Sequence, residues 1–452
     1  MLYNQGWEVN KSMKLSSIFL ISSRIIKPKD SVLTNARKSL IGAIFCIALS
    51  LIPLTVVLVV TDGMIEGITN RIVGLSSFHI QAAQIRNFSD TETNMLALEE
   101  VASSIKEHPE VVNTYIERQG TVLAAGKTGR SGATVRAVEP KLFTENKAFS
   151  QYLKVIEGEI NFSSKKSCVI GKKIAELLGL SVGDTIRLIS TKTMGGGKII
   201  PKISTFNVEA IVSSGYQEID ALWVFIPLET GFEYLSSAAS TICIGIETKD
   251  PFDDSFYFTA RDIENNLSLG FSLYTWKELN SSQYENFAST KLMLLFVMLL
   301  IVLVASVNIS SALVMLVMEK RKDIAILKSL GASNSGIGFS FVITGGVAGF
   351  IGTIIGVSLG ILFSLNINSI ITFIEKIINT FTKLLYYIRD GKNYVPISLL
   401  DPAYYLETIP VIIPWKEVGI IALGTIVLSI LVSIIPASKA AKEKPLNIIR
   451  KI

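Results

Sequence analysis

The sequence predicts a membrane protein with four transmembrane α-helices and a large extracytoplasmic α+β domain inserted between helices 1 and 2. Two observations lead to this fold class. Hydrophobic residues make up 49% of the chain and charged residues only 18%, which is too apolar for an ordinary soluble domain. The apolar residues are also gathered into a few long uncharged runs, and the first two runs are separated by a long polar segment, residues 63–286.

The first apolar run predicts transmembrane helix 1 over residues 40–62. Leu40 to Val60 contains no charge and has the length that a bilayer requires. A cleaved signal peptide is the alternative. The run is long for a signal peptide, and no small-residue cleavage site follows it, so a retained anchor is favoured. Pro53 should kink this helix. In the preceding residues 1–39, the mixture of apolar and basic side chains around Arg24 predicts an interfacial helix.

Three later runs predict the remaining spans, over residues 287–318, 336–366 and 417–436. Asn308 lies near the middle of the second, and a polar residue at that depth usually faces other protein or a cavity. The third run is rich in glycines at four-residue spacing, which stack on one helix face and allow another backbone to approach closely. These predicted packing glycines are Gly345, Gly349, Gly352, Gly356 and Gly360.

Basic residues beside the apolar runs predict the orientation. They cluster in residues 1–39, in the loop 319–335 and in the tail 437–452, so all three segments should be cytoplasmic. Residues 63–286 and the loop 367–416 then lie outside. The net charge of +5 is explained by this pattern, and no nucleic-acid partner is expected.

The exported segment 63–286 reads as an independent α+β domain. β-rich stretches recur within it, and Gly171 to Gly179 has helical periodicity followed by a turn at Ser181 to Asp184. The predicted strands are Val111–Ile116, Thr134–Val138, Thr185–Ile189, Phe206–Val212 and Ile242–Ile246. In the second exported loop, Ile370 to Ile388 predicts an amphipathic surface helix.

An enzyme is not expected. His79 and His108 are the only two histidines, and they are far apart in sequence. The sequence therefore does not favour a histidine-based metal site or catalytic triad. The nearest approach to a phosphate loop, Gly120 to Thr128, has five residues between its glycines where that loop needs four. No cofactor is therefore expected on this chain. Cys168 and Cys243 share the exported segment and could pair, but free thiols are favoured.

The loop between spans 2 and 3 offers a place for a partner to act. Ile324, Leu327 and Leu330 recur every three residues with charge on the opposite side, and Gly331 ends the pattern. A short amphipathic cytoplasmic helix joining two spans can transmit a push from a docked partner. A basic segment lying at the lipid surface is the alternative, and spacing alone favours that alternative.

Residues 319–333, Glu-Lys-Arg-Lys-Asp-Ile-Ala-Ile-Leu-Lys-Ser-Leu-Gly-Ala-Ser, closely resemble the cytoplasmic signature of the FtsX/MacB/Lol permease superfamily. Three further stretches resemble the lipoprotein-releasing C/E type within it. They are Asp62 to Ile80, in which Phe78 replaces a proline of the family pattern, Gly171 to Asp184, and Tyr404 to Val418. Pro436 to Ala441 is shared with the wider superfamily. The resemblance covers nearly the whole chain.

The resemblance implies a permease subunit of an ABC transporter in a bacterial inner membrane, with its large domain in the periplasm. It implies two copies of a cytoplasmic ATPase that carries ATP and Mg, a second identical or related permease, lipoprotein substrates, membrane lipid and a periplasmic carrier as partners. The implied ATPase-coupling residues are Glu319, Arg321, Lys322, Ile324, Leu327, Leu330 and Gly331.

Pro53 and Asn308 are the candidates for the wall of the substrate cavity. The stretch that corresponds to the family's carrier-binding hairpin runs from Ser190 to Lys202 and includes Met194, Gly195, Gly196, Gly197 and Pro201. A flexible hairpin without a partner is the alternative there. Two other functions share the four-span layout: a MacB-like export or efflux permease, which usually carries its ATPase on the same chain, and an FtsX-like signalling module, whose exported domain is typically smaller.

Overall fold

The structure is a computed structural model. It describes residues 35–85, 91–193, 199–236, 240–253, 255–267, 270–388 and 409–442, together with residues 19, 20, 22, 23, 397, 399 and 406. The chain divides into two compact units. A helical unit is formed by residues 1–63, 288–370 and 411–452, and a β-rich unit by residues 64–287 and 371–410.

In chain order the described helices are α1 (Asn35–Arg71), α2 (Thr91–Lys106), α3 (Lys141–Glu145), α4 (Lys147–Tyr152), α5 (Lys172–Leu178), α6 (Gln217–Asp220), α7 (Leu228–Tyr234), α8 (Phe256–Asn266), α9 (Trp276–Leu279), α10 (Ser281–Glu319), α11 (Arg321–Ser329), α12 (Asn334–Leu365), α13 (Ile367–Ile388) and α14 (Trp415–Lys442). A π-helical turn, Ile72–Ser77, continues α1. The strands are β1 (Ile80–Gln84), β2 (Val111–Ala125), β3 (Arg130–Val138), β4 (Lys154–Gly158), β5 (Ser167–Gly171), β6 (Thr185–Thr193), β7 (Ile199–Ser213), β8 (Trp223–Pro227), β9 (Ser240–Thr248) and β10 (Phe271–Thr275).

Among the described residues, four helical stretches are long and apolar enough to cross a membrane: Lys38–Ser77, Ser281–Glu319, Asn334–Leu365 and Trp415–Lys442. The expectation of four apolar membrane helices is thereby confirmed. The helices extend beyond the apolar runs because polar residues at their ends continue the backbone hydrogen bonding. Pro53 lies inside α1 and Pro436 inside α14, a position that membrane helices tolerate.

The strands of the β-rich unit form one ten-stranded sheet that closes on itself over part of its length. The two halves of β2 explain this shape. Val111–Gly120 pairs with β9, whereas Leu123–Ala125 pairs with β6. The second half also pairs with β3 on its other side, so β2, β3, β8, β5, β7 and β6 form a ring. Strands β9, β1 and β10 form an open extension, and β4 pairs with β7 at another edge.

The five predicted strands lie within β2, β3, β6, β7 and β9, and the predicted helix at 171–179 is α5. Gly179 ends α5 with φ of 63°, a backbone conformation that favours glycine. The predicted helix over 370–388 is confirmed as α13. Cys168 and Cys243 are both free and buried, and burial raises the pKa of each thiol.

A buried ion pair lies in the core of the β-rich unit. Arg136 on β3 and Glu117 on β2 are 1% and 0% exposed. Arg136 donates to both carboxylate oxygens of Glu117 at 2.5 and 2.7 Å, and to the Leu75 carbonyl of the π-helical turn at 2.5 Å. Its guanidinium also lies 4.5 Å from the Trp223 ring centroid. Arg136 therefore supplies a hydrogen bond to the end of the helix, where backbone carbonyls lack helical partners.

Candidate functional site

The loop between α10 and α12 folds into the short helix α11 because both of its ends carry stop signals. Lys320 leaves the helical conformation between α10 and α11. At the other end Gly331 has φ of 95°, which L-residues rarely adopt. Ser333 then caps α12 by accepting a hydrogen bond from the Gly336 N–H at 3.1 Å. The result is a separate helical segment between the second and third spans.

The surface of α11 differs from the face that the three-residue spacing predicts. Ile324 is only 3% exposed and packs into the core of the helical unit, so it holds α11 in place and presents no surface to a partner. Leu327 is half-buried, whereas Leu330 is 80% exposed. The exposed apolar pair is Ile326 and Leu330, four residues apart. Ile326 was missed, although four-residue spacing is an equally good signal for a shared helix face.

The charged residues named for this segment lie at the surface. Glu319, Arg321 and Lys322 are all exposed. Lys328 extends the attachment of α11, because its Nζ donates to the Ala441 carbonyl near the end of α14 at 2.7 Å. The segment thus combines an anchored inner side with an outer side of apolar and charged side chains.

The two residues proposed for a substrate cavity both face outward. Pro53 on α1 and Asn308 on α10 are exposed in the single chain. Ala305, Ser306 and Ile309, near Asn308 on α10, are buried, so Asn308 lies beside the packed face of its helix and not within it. Among the described residues, neither side chain is buried by its neighbours.

The five glycines of α12 lie mainly against two helices, and Gly345 also lies against Leu313 of α10. Ser433 and Ser429 of α14 lie against Gly345 and Gly349. Gly352, Gly356 and Gly360 lie against α1, where a Cβ added at Gly352 would meet the Ile47 Cβ at 3.0 Å and one at Gly360 the Thr55 Cβ at 2.6 Å. Each glycine lets a neighbouring helix come closer than a larger residue would permit.

An ion-pair cluster joins three helices of the helical unit. The Lys291 Nζ on α10 lies 3.0 Å from the Asp62 carboxylate on α1 and 3.3 Å from the Glu417 Oε1 on α14. The side chains are between 13% and 31% exposed, so the pairs are partly shielded from solvent. The sequence does not predict this cluster, because no spacing rule connects residues so far apart in the chain.

Of the candidate carrier-binding residues, Met194, Gly195, Gly196 and Gly197 lie outside the described part of the chain. Pro201 is exposed on β7, opposite Thr191 of β6. The β6–β7 hairpin therefore flanks this stretch, with Ile203 also exposed at 61%. Within the described part of the chain, no group of three or more His, Cys, Asp or Glu residues could hold a metal ion.

Two families match the chain. The family described as MacB-like periplasmic core domain matches residues 40–263, and the FtsX-like permease C-terminal family matches residues 295–445. A crystal structure of the periplasmic region of MacB from Actinobacillus actinomycetemcomitans covers 47% of this chain and 95% of its own at 10% identity. Its TM-score of 0.29 is too low to bear on the fold.

Two curated relatives align along most of the sequence. The lipoprotein-releasing system transmembrane protein LolC of Xylella fastidiosa is 27% identical over 90% of this chain and 93% of its own. LolE of Haemophilus influenzae is 26% identical over 96% of this chain and 99% of its own. The chain therefore belongs to the FtsX/MacB superfamily of ABC-transporter permeases and, within it, to the LolC/LolE type.

Proposed function

We propose that this chain is the permease subunit of an ABC transporter that extracts lipoproteins from the outer leaflet of a bacterial inner membrane and passes them to a periplasmic carrier. The observation that carries the proposal is the alignment with LolC over 90% of the chain, which includes both the apolar helices and the β-rich segment. In this proposal the β-rich domain is inserted between the first and second spans and lies in the periplasm. The basic clusters beside the spans support that orientation.

Extraction of a lipid-anchored protein needs an external source of energy. Each buried CH₂ group of an acyl chain contributes about 0.8 kcal/mol to membrane binding, so a lipoprotein does not leave the bilayer spontaneously. In our proposal two copies of a separate cytoplasmic ATPase, which bind ATP and Mg, supply this energy. This chain contributes the path for the substrate and the surface that receives the motion of the ATPase.

The receiving surface is the outer side of α11. Ile326 and Leu330 supply exposed apolar side chains, and Glu319, Arg321 and Lys322 add exposed charge to the same segment. Because Ile324 and Lys328 fix α11 to the helical unit, a displacement of α11 would move the spans on either side of it. A segment lying loosely on the lipid surface would not transmit force in this way.

The substrate path requires a second permease. Pro53 and Asn308 face outward from a single chain, and a second permease, identical or related, would cover them and create a cavity between the two sets of spans. An amide such as that of Asn308 is costly in lipid and is usually found against protein or a water-filled cavity. In the periplasm the β6–β7 hairpin is the candidate contact for the carrier.

Photocrosslinking tests the substrate. A photoreactive residue is placed at Pro53 or Asn308 of the complex in membranes, with Leu423 as the control because it is exposed at 68% on α14. We expect acylated lipoproteins to be captured from Pro53 and Asn308, and capture to fall when ATP is added. Capture of small molecules instead would contradict the proposal and indicate an export pump.

Coupling is tested with Leu330→Asp and, as a matched control, Leu177→Asp, since Leu177 is an exposed leucine on the β-rich unit. We expect Leu330→Asp to abolish substrate-stimulated ATP hydrolysis while membrane insertion stays intact, because a charge replaces the apolar contact. Leu177→Asp should retain stimulation. Full stimulation in Leu330→Asp would show that α11 does not receive the motion.

A further inference from the structure

Helix α13 exposes its apolar side. Phe373, Ile377 and Phe381 follow one another at four-residue spacing and are 63%, 53% and 62% exposed. Ile374, beside this stripe, is 41% exposed. Residues four apart lie on one helix face, so α13 carries a continuous apolar surface along most of its described side chains. In an ordinary surface helix this side would be turned inward.

The polar side of α13, by contrast, makes contacts with the protein. The Asn379 side chain exchanges two hydrogen bonds with the backbone of Ile397, donating from Nδ2 at 3.0 Å and accepting at Oδ1 at 2.8 Å. The Glu375 Oε1 accepts from the Leu399 N–H at 2.8 Å. These bonds join the polar side of α13 to two residues of the following loop, whereas the apolar stripe stays open. An exposed apolar stripe of this length is stabilised where an apolar medium covers it.

The position of α13 in the chain indicates which medium that is. Only Asn366 separates α13 from the third candidate span, which ends at Leu365. The last turns of that span expose Leu362, Phe363 and Leu365 at 55%, 46% and 56%, so the chain enters α13 directly from an apolar helix of membrane-spanning length. Lys376 and Lys383 are exposed on the polar side of α13, where their charge complements lipid phosphates.

We infer that α13 lies in the lipid surface at the outer end of the third span, with Phe373, Ile377 and Phe381 inserted among the acyl chains of that leaflet. Its polar side, with Lys376 and Lys383, faces the headgroups and the rest of the chain. This gives the protein a lipid-binding surface in addition to its four spans. The inference depends on the chain being a membrane protein and not on the substrate that it moves.

Spin labelling tests this arrangement in the full-length protein in lipid nanodiscs. Nitroxides are attached in turn at Phe373→Cys, Ile377→Cys and Phe381→Cys, in a Cys46→Ala background because Cys168 and Cys243 are buried. The matched controls are Thr372→Cys, Lys376→Cys and Thr380→Cys, three exposed positions shifted by one residue. Collision rates are measured with oxygen, which partitions into lipid, and with a water-soluble nickel chelate.

We expect the ratio of oxygen to nickel collisions to be several-fold higher at the three stripe positions than at the three controls. Equal nickel access at all six positions would overturn the inference, because α13 would then lie in water. Immobile stripe labels that neither reagent reaches, or dipolar broadening between labels on two copies, would also overturn it, since protein and not lipid would then cover the stripe.

Discussion

At the scale of single residues, the buried Arg136–Glu117 pair organises the core of the β-rich unit. Both charges are removed from water, and such a pair is tolerable only because Arg136 is satisfied by the carboxylate, the Leu75 carbonyl and four surrounding aromatic rings. Phe78, one of these rings, has φ of 53°, which is rare for a residue with a side chain. The chain at the end of α1 is thus held in a costly conformation by the contacts around Arg136.

We predict that Arg136→Met lowers the free energy of unfolding by about 3–5 kcal/mol, because Glu117 is left charged and buried without a partner. Adding Glu117→Gln should recover part of this loss. Thermal and denaturant unfolding of the purified protein in detergent measures both. Lys165→Met is the control, since Lys165 forms only exposed pairs with Glu229 and Glu233 and should cost less than about 1 kcal/mol. No recovery in the double variant would contradict the prediction.

His79 makes the stability of the β-rich unit depend on pH. Burial lowers the pKa of His79 from 6.5 to about 4, and its Nδ1 accepts a hydrogen bond from the Thr248 N–H at 3.0 Å. In the unfolded chain His79 takes up a proton as the pH falls through 6.5, whereas in the folded chain it does so only near pH 4. The stabilisation that depends on neutral His79 is therefore fully present above pH 6.5. It is lost as the pH falls towards 4, by about 3 kcal/mol in total. His79→Asn, which keeps an acceptor but does not titrate, should flatten this part of the curve of unfolding free energy against pH. An unchanged dependence of the unfolding free energy on pH would show that His79 is not the group responsible.

At the scale of secondary-structure elements, α12 is the packing centre of the helical unit. Its glycines lie mainly against two neighbours: the first pair against α14, with Gly345 also against α10, and the last three against α1. Two helices can approach one helix on the same glycine-rich stripe because the stripe is long enough to serve each over a different stretch. Serines on α14 add to this close approach without leaving polar groups unpaired, since Ser429 and Ser433 donate to the Thr425 and Ser429 carbonyls.

We predict that Gly356→Ala destabilises the protein by about 1–3 kcal/mol. The added Cβ would lie 2.8 Å from the Leu51 Cβ and 2.9 Å from the Ala48 backbone, so α1 must move away. Gly424→Ala is the matched control, because no described heavy atom beyond its chain neighbours and its own helix backbone lies within 4 Å of the added Cβ. It should be neutral or stabilising by up to about 1 kcal/mol. Melting temperatures in detergent distinguish the two, and equal values would show that α12 does not need its glycine at this position.

At the scale of the whole molecule, segments that are far apart in sequence form each unit. The helical unit is built from three stretches of chain and the β-rich unit from two. Lys291 illustrates how distant segments are joined, since it contacts carboxylates from α1 and α14 across 229 and 126 positions of the chain. Asp62 and Glu417 share this one lysine, whose charge offsets the repulsion between like charges in a partly shielded site.

We predict that Lys291→Met destabilises the helical unit by about 1–3 kcal/mol, since Asp62 and Glu417 lose their shared counter-charge. Lys416→Met is the control: Lys416 is an exposed neighbour of Glu417 outside the cluster. In a background of Asp62→Asn and Glu417→Gln, Lys291→Met should cost much less. Thermal unfolding in detergent measures each variant, and an equal cost in both backgrounds would show that the cluster does not stabilise the unit.

The sequence by itself determined the elements whose signals are local. Four apolar helices, the strands of the β-rich segment, α5 with its terminal glycine and the amphipathic α13 all follow from hydrophobic runs, periodicity and stop residues. The motif at residues 319–333 was likewise sufficient to identify the permease superfamily. Such features depend on the chemistry of a few consecutive residues, so they can be read without knowledge of the fold.

Only the tertiary structure decided which side of an element is covered. The three-residue spacing on α11 predicts that Ile324 lies on the side that meets a partner. In the structure Ile324 is buried and Ile326 is exposed. Periodicity shows that α13 has two faces, but the contacts of Asn379 and Glu375 show that the polar face is the attached one. The Lys291 cluster and the Arg136–Glu117 pair join residues from different elements. A side chain's partners are set by the path of the whole chain, so no local pattern specifies them.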